Sequence, residues 1–257
     1  MEPPSKPHLA QPRALTIAGF DPSGRAGVLA DARTFAAFGL RASAAITSIT
    51  FQNTDQGFGA FNQAGEVVRQ QVLPLLDDFT FVCAKTGMLP TREVVSEVAR
   101  LFRETNLPRP VVDPVMISSA GQRLMEEPAL ETLISELLPF ARLVTPNIPE
   151  AETLTGLSIT SEAQMHQAAA LLRKMGAAAV LIKGGHLPGR DAIDVLDNEG
   201  HVTEFRVQWI QGPGIRGSGC ILSAAIAAAL GKGKTLEESV RVAKGFVRGV
   251  IRDACEK

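Results

Sequence analysis

Short apolar runs alternate along the chain with segments whose apolar residues recur at helical spacing. "ALTIAG" precedes a helical pattern over 23–39, "SAAITSITF" precedes one over 66–76, and "FVCAKTGM" precedes one over 91–104. The rhythm continues through "PVVDPVM", a helix near 128–138, "RLVTPN", helices over 149–156 and 161–175, and "AAVLIKGG". Strand-length apolar runs that alternate with helices predict a largely parallel sheet covered on both faces, an α/β fold. From 192 to 209 the pattern changes to "AIDVLD" and "HVTEFRV" around the turn-like "NEG", which predicts short strands forming an antiparallel edge. Two helices, 218–230 and 235–254, close the chain.

In sheets of this kind ligands sit outside the carboxyl ends of the strands. Polar or glycine-bearing stretches collect at those ends: "AGFDPSG", "TFQN", "KTGML", "DPVMISSAG", "TPNIPE", "KGGH" and "GIRGSGC". With 257 residues and 45% hydrophobic content, the chain suits one large domain over 13–257, preceded by a polar, proline-rich tail at 1–12 that is expected to be disordered. A formal charge of −1 with mixed signs provides no field for nucleic acid or an anionic membrane. No apolar run approaches the roughly 18 residues of a membrane span, and the opening lacks a signal-peptide core, so a cytoplasmic location is expected. Cys83, Cys220 and Cys255 are few, odd in number and widely spaced, which predicts free thiols and no zinc site.

The glycine motifs need sorting. Gly212, Gly214 and Gly217 spell G-x-G-x-x-G, but two helices and no further strand follow, so the dinucleotide reading fails. "GKGKT" at 231–235 looks like the end of a phosphate-binding loop, yet Ala228 stands where the first glycine belongs and a helix precedes it. It reads better as a helix end followed by a Thr235/Glu238 capping box. Gly217, Ser218, Gly219 and Cys220 remain, at a helix N-terminus. Unobstructed N–H groups at a helix's positive end suit a phosphate or a developing oxyanion, although a glycine-rich helix entry with a small buried thiol is also consistent with the stretch. Lowering a thiol from about 8.5 to near neutrality needs roughly 2 kcal/mol, within reach of a favourable helix terminus, so Cys220 is expected to be a base poised near neutral pH.

The segments "ALTIAGFDPSGRAGVLADARTF", "ITFQNT", "KTGML", "VVDPVM", "LVTPNIPEA", "VLIKGGH" and "GSGCILSAAIAA" together resemble the hydroxymethylpyrimidine and phosphomethylpyrimidine kinases of thiamin biosynthesis, in the ribokinase-like superfamily. The resemblance implies a three-layer α/β/α sandwich with a largely parallel central sheet and a few antiparallel edge strands. It implies transfer of the ATP γ-phosphate, with Mg²⁺, to 4-amino-5-hydroxymethyl-2-methylpyrimidine and then to its monophosphate. By the same resemblance, Asp31 and Gln52 hydrogen-bond the aminopyrimidine ring, and Gly19, Ala26, Met88 and Val115 wall its pocket. Asn147 and Glu150 match the Mg-phosphate motif, with Glu150 holding the metal through water, and Lys183 lies near the phosphates; Asp113 ranks below these. The superfamily's sugar kinases carry an aspartate where this chain has Cys220, which favours a pyrimidine or pyridoxal-type acceptor.

Departures from the pattern are Arg25 for a second glycine, Arg216-Gly217-Ser218-Gly219-Cys220 in the last loop, no lysine after "DPVM", and no glycine- and histidine-rich C-terminal tail. Arg25 and Arg216 add positive charge that suits an already phosphorylated pyrimidine. Alternative readings are a pyridoxal or pyridoxine kinase, and a non-catalytic pyrimidine-binding protein. Family members commonly dimerise, and the strands over 192–209 offer an edge for a homodimer. Gly57 and Gly59 are candidate lid glycines.

Overall fold

The computed structural model describes residues 11–53, 56–118, 121–185, 191–208, 210 and 215–255. Nine strands, β1 (Arg13–Phe20), β2 (Arg41–Gln52), β3 (Gly57–Asn62), β4 (Phe81–Thr86), β5 (Val111–Val112), β6 (Leu143–Val144), β7 (Ala179–Lys183), β8 (Asp191–Asn198) and β9 (His201–Gln208), form one sheet. Their spatial order is β3-β2-β1-β4-β5-β6-β7-β8-β9. The six from β2 to β7 run parallel; β3 pairs antiparallel with β2 at one edge, and the β8–β9 hairpin extends the other. The "NEG" turn closes that hairpin with Glu199 and Gly200 both at positive φ, the geometry a two-residue hairpin loop requires.

Successive strand residues point to opposite faces, and both faces are apolar. Leu15, Ile17, Ala84, Val112, Val144, Val180 and Ile182 pack under α2 (Gly65–Asp78), α3 (Arg92–Glu104), α4 (Glu127–Thr132), α5 (Ile148–Thr155) and α6 (Glu162–Lys174). Their neighbours Ala14, Cys83, Val111, Leu143, Ala179 and Leu181 pack under α1 (Gly27–Ala37), α7 (Ser218–Gly231) and α8 (Leu236–Cys255). The result is the expected three-layer α/β/α sandwich. From β1 the chain steps outward to β2 and then returns to the opposite flank as β4, so the strand order reverses between β1 and β4. That reversal leaves a crevice above the sheet's carboxyl edge.

Several local expectations change. Gly57 and Gly59, the candidate lid glycines, lie in β3, where Gly57 pairs with Gln52 and Gly59 with Phe51. Residues 23–26 form a loop, so α1 starts at Gly27. The helix expected over 128–138 continues past Thr132 as a π turn over Leu133–Leu137 and a 3-10 turn over Leu138–Phe140; Pro139 has no N–H with which to prolong a regular ladder. Most of the expected tail lies outside the described residues, but Pro12 is already fastened, accepting from Arg41 N at 2.9 Å. The Thr235/Glu238 capping box forms as expected before α8.

Helix α7 carries the glycine stretch, and its alanines let it approach the sheet closely. Ala224, Ala225 and Ala228 are fully buried, and a Cβ on Gly231 would lie 3.0 Å from Cys83 Cβ. The expected outcome of Ala225→Leu is a loss of ~1–3 kcal/mol from overpacking, read as a Tm lower by ~2–12 °C in a thermal melt. An unchanged Tm would mean that the helix has room to shift.

Candidate active site

All seven polar strand-end stretches contribute to one cavity of about 540 Å³ above the β1/β4 reversal. That size falls within the ~300–1,000 Å³ range of small-molecule sites. Its apolar wall holds Gly19, Ala26, Met88 and Val115. Gly19 is small by necessity, since a Cβ there would lie 3.0 Å from Met88 Sδ, and Met88 is fixed in turn by Thr47 Oγ1 donating to its carbonyl at 2.6 Å.

The loop between β1 and α1 is organised by Asp21, a residue the sequence reading did not single out. Its carboxylate accepts from Ser23 N at 2.8 Å and Ala26 N at 3.0 Å. An aspartate two residues before a serine in a Pro-Ser-Gly loop is an Asx-turn signal that pointed to this role. The loop then folds back so tightly that a Cβ on Gly27 would lie 2.1 Å from Gly19 O, and Gly27 sits at φ +60°. Gly217, the N-cap of α7, has φ +82° and stands equally close to Arg25 O. Residues 217–220 therefore enter the cavity with the amino end of α7 directed at it. Gly212 and Gly214 of the G-x-G-x-x-G stretch and His186 of "KGGH" lie outside the described residues.

Two buried charge groups form the polar side. In the first, Lys85 Nζ reaches both carboxylate oxygens of Asp31, at 3.0 and 2.8 Å, and Thr16 Oγ1 donates to the same carboxylate at 2.6 Å. Asp31 and Lys85 are fully buried, and of the two only Lys85 lines the cavity. The structure places the Asp31 carboxylate beneath the cavity surface, where it anchors Lys85, rather than on the lining where the resemblance put it against the ring. Burial is the largest influence on the lysine and depresses it, but Asp31, Cys220 and Asp113 acting together hold it above the ordinary lysine value. Burial pushes the Asp31 carboxyl up in turn, with Lys85 and the Thr16 hydroxyl opposing.

In the second group, Lys183 Nζ lies 3.0 Å from Asp113 Oδ1 and 3.9 Å from Glu150 Oε2. Asp113 also accepts from Thr145 Oγ1 and Ser223 Oγ, each at 3.2 Å. Burial pushes the Asp113 carboxyl up, but Lys183 and Lys85, with the Lys183 and Ser223 hydrogen bonds, bring it below the usual carboxylate value. Asp113 is therefore the hub of this group, although it ranked low in sequence. Glu150 and Asn147 form a reciprocal capping box for α5: Asn147 N donates to Glu150 Oε2 at 2.8 Å and Glu150 N to Asn147 Oδ1 at 2.9 Å. Burial pushes Glu150 up to about 7, with Lys183 opposing. A Cβ on Gly219 would lie 3.3 Å from Lys183 Nζ, so the glycine lets the ammonium settle against the start of α7.

Cys220 departs from expectation. Burial, its largest influence, pushes the thiol up to about 11; Lys85 and the Gly27 N–H pull it down, while Asp113 and Asp31 add to the rise. The helix terminus does not overcome desolvation together with two nearby carboxylates, so the thiol keeps its proton at neutral pH. Gln52 lines the cavity, and its carboxamide is engaged on both sides: Nε2 donates to Thr50 Oγ1 at 2.5 Å, and Arg216 donates to Oε1.

Among the described residues no group of three or more His, Cys, Asp or Glu is placed to hold a metal, and no helix is long and apolar enough to cross a membrane.

Two measurements follow from this geometry. Alkylation of Cys220 by iodoacetamide, mapped by mass spectrometry, is expected to trail the exposed Cys255 at pH 7.5 and to accelerate about tenfold per pH unit until pH reaches about 11. A rate already at its plateau at pH 7 would refute the raised thiol. Asp31→Asn or Lys85→Met alone is expected to cost ~3–5 kcal/mol in denaturant unfolding, because each strands a buried group. The double variant should recover part of that loss; additive losses would show that the pair is not coupled.

Comparison with known proteins gives this architecture a family. The chain is 39% identical over 241 residues to hydroxymethylpyrimidine/phosphomethylpyrimidine kinase of Aquifex aeolicus, covering 94% of each chain. It is also 39% identical over 242 residues to the protein of the same name from Bacillus subtilis, covering 94% of this chain and 89% of that one. Among solved structures, phosphomethylpyrimidine kinase from Clostridium difficile superposes with a TM-score of 0.83 at 35% identity, covering 94% of this chain and 100% of the other. An ADP complex of Bacillus subtilis pyridoxal kinase superposes at 0.86 with 32% identity, covering 92% of this chain and 90% of that one. The family pattern described as phosphomethylpyrimidine kinase matches residues 21–257, and the chain belongs to that family.

Proposed function

We propose that this protein transfers the terminal phosphoryl group of ATP to 4-amino-5-hydroxymethyl-2-methylpyrimidine and then to its monophosphate, yielding the diphosphate that thiamin biosynthesis uses. The observation that carries the reading is the start of α7 meeting Lys183 and Lys85 inside a strand-end cavity, with membership in a family of kinases behind it. Phosphoryl transfer asks a protein mainly for positioning and for charge matched to the transferring oxygens. The N–H groups at 217–220 and the Lys183 ammonium supply that charge without rearrangement.

In this reading the acceptor ring lies between Gly19, Ala26, Met88 and Val115, with its polar edge toward Gln52, and its hydroxyl is brought to Cys220. The nucleotide phosphates extend toward Lys183, Asn147 and Glu150. A Mg²⁺ ion, which usually keeps several waters and takes one or two carboxylates plus substrate phosphates, fits a site whose protein share is the single carboxylate of Glu150, acting through water. Glu150 is buried 3.9 Å from Lys183, and a second cation beside it would favour its ionised form. The ion would supply charge neutralisation at the phosphates. Asn147 Oδ1 is committed to the α5 cap, so its contribution is to fix Glu150 rather than to ligate.

A second reading, pyridoxal phosphorylation, has its own support in the close superposition on a pyridoxal kinase; the cavity wall would take either flat heteroaromatic ring.

The test is ATP consumption with Mg²⁺ and the pyrimidine alcohol, its monophosphate or pyridoxal offered separately, with Cys220→Ala alongside. Turnover of the pyrimidines and abolition by EDTA are expected, with the variant keeping measurable turnover because the thiol is not a resident base. Turnover of pyridoxal alone would install the second reading, and no turnover of any acceptor would leave a binding protein.

A further inference from the structure

The cavity's cations differ in what balances them. Lys85 is matched by Asp31 and Lys183 by Asp113, each through contacts of 3.0 Å or less. Arg216, the remaining cation among the described cavity-lining residues, has uncharged partners: it donates to Gln52 Oε1 and, through Nη1 at 3.1 Å, to the Asn53 carbonyl. Two of its five N–H groups are used there, so both charge and donors remain for a ligand. Arg25, the other arginine near these loops, is exposed and does not line the cavity; only its backbone carbonyl approaches Gly217.

Arg216 donates toward the β2 end of the cavity. Its partner Gln52 ends β2, whereas Lys183 ends β7, five strands away in the sheet. The start of α7 spans the gap between these two strand ends: a Cβ on Gly219, three residues after Arg216, would lie 3.3 Å from Lys183 Nζ. Bound as it is to both Gln52 and Asn53, Arg216 straps the loop before α7 to the end of β2, immediately beside the acceptor's place. It also occupies the Gln52 oxygen, reducing what that carboxamide offers to a neutral ring.

We infer that Arg216 is a specificity-determining residue that receives the phosphate already present on the acceptor, so that the enzyme prefers the pyrimidine monophosphate to the free alcohol. The inference rests on the pyrimidine reading above and deepens it. A phosphate monoester carries about −1.5 to −2 charges near neutral pH, and a guanidinium takes it up through paired N–H···O bonds. An oxygen of the ester's phosphate then bonds to the γ-phosphorus of ATP as the bond from that phosphorus to the β-phosphate oxygen breaks and ADP leaves; the remaining charge of the acceptor phosphate is held at Arg216 while the start of α7 faces the incoming group.

The test measures kcat/KM for alcohol and monophosphate, and KM for ATP, in the wild type, Arg216→Gln and Arg216→Lys. Glutamine retains an N–H for Gln52 but removes the charge, so the monophosphate-to-alcohol ratio is expected to fall ~10- to 100-fold, with lysine intermediate. Direct titration of the monophosphate without ATP should show the same ordering of Kd. Equal losses on both acceptors, or a wild type that already favours the alcohol, would overturn the inference while leaving the kinase reading intact. A rise confined to the KM for ATP would assign Arg216 to the nucleotide instead, which also overturns it. Turnover of neither pyrimidine by the wild type would overturn the functional reading, and the inference with it.

Discussion

The arrangement turns on one buried ion pair. Lys85 on β4 and Asp31 on α1, joined by Thr16 on β1, tie together the three elements that surround the reversal of strand order. An ion pair in a dry interior is poor at generating stability, because desolvating both charges offsets most of their attraction. What it supplies is register. Only one placement of α1 against β1 and β4 satisfies both charges and the threonine hydroxyl, and that placement brings the β1–α1 loop under Gly217 and sets Gly27 against the Cys220 thiol. The cavity floor therefore carries a lysine that cannot swing away and a carboxylate unavailable to solvent.

The second charge group follows the same logic with less burial. Lys183 keeps some exposure, its side chain remaining 15% accessible, while Asp113 beneath it is almost completely covered. A lysine anchored from below and open above can share its charge with phosphate oxygens without first leaving its partner. The capping box of Asn147 and Glu150 holds the opposite bank of the cavity. These residues would be ordinary capping on any surface helix; enclosure beside Lys183 is what separates the functional reading from the structural one.

Legibility in the sequence followed the range over which each feature is decided. The parallel strands, the covering helices and the convergence of strand ends were readable because apolar runs and their glycine or polar endings are local signals. The wall residues Gly19, Ala26, Met88 and Val115 came with them through the family resemblance. Strand β3 was not readable: "GFGAFN" has two glycines and weak strand character of its own, and its pairing is imposed by β2. The fate of Asp31 was hidden for a similar reason. Its lysine lies 54 residues away in a strand whose other residues are apolar or small, and nothing local says that the two charges meet. The strap from Arg216 to Gln52 spans 164 positions and depends on how the loop before α7 crosses the cavity.

The raised Cys220 thiol is the instructive failure, since helix-end reasoning was sound as far as it went. A helix terminus contributes up to about 2 kcal/mol in favourable cases, but here burial and two carboxylates act against it together. A neutral thiol also suits the chemistry better than a resident thiolate would. A thiolate would draw on the same positive end of α7 that the transferring oxygens need, and would repel them. With the proton retained, that end and Lys183 stay available to the phosphoryl group. Charge in a loose transition state is spread over three equatorial oxygens, so little removal of the acceptor's proton is required before transfer is under way. Desolvation, which defeats the thiol as a preformed base, thus leaves the start of α7 to act as an anion cradle.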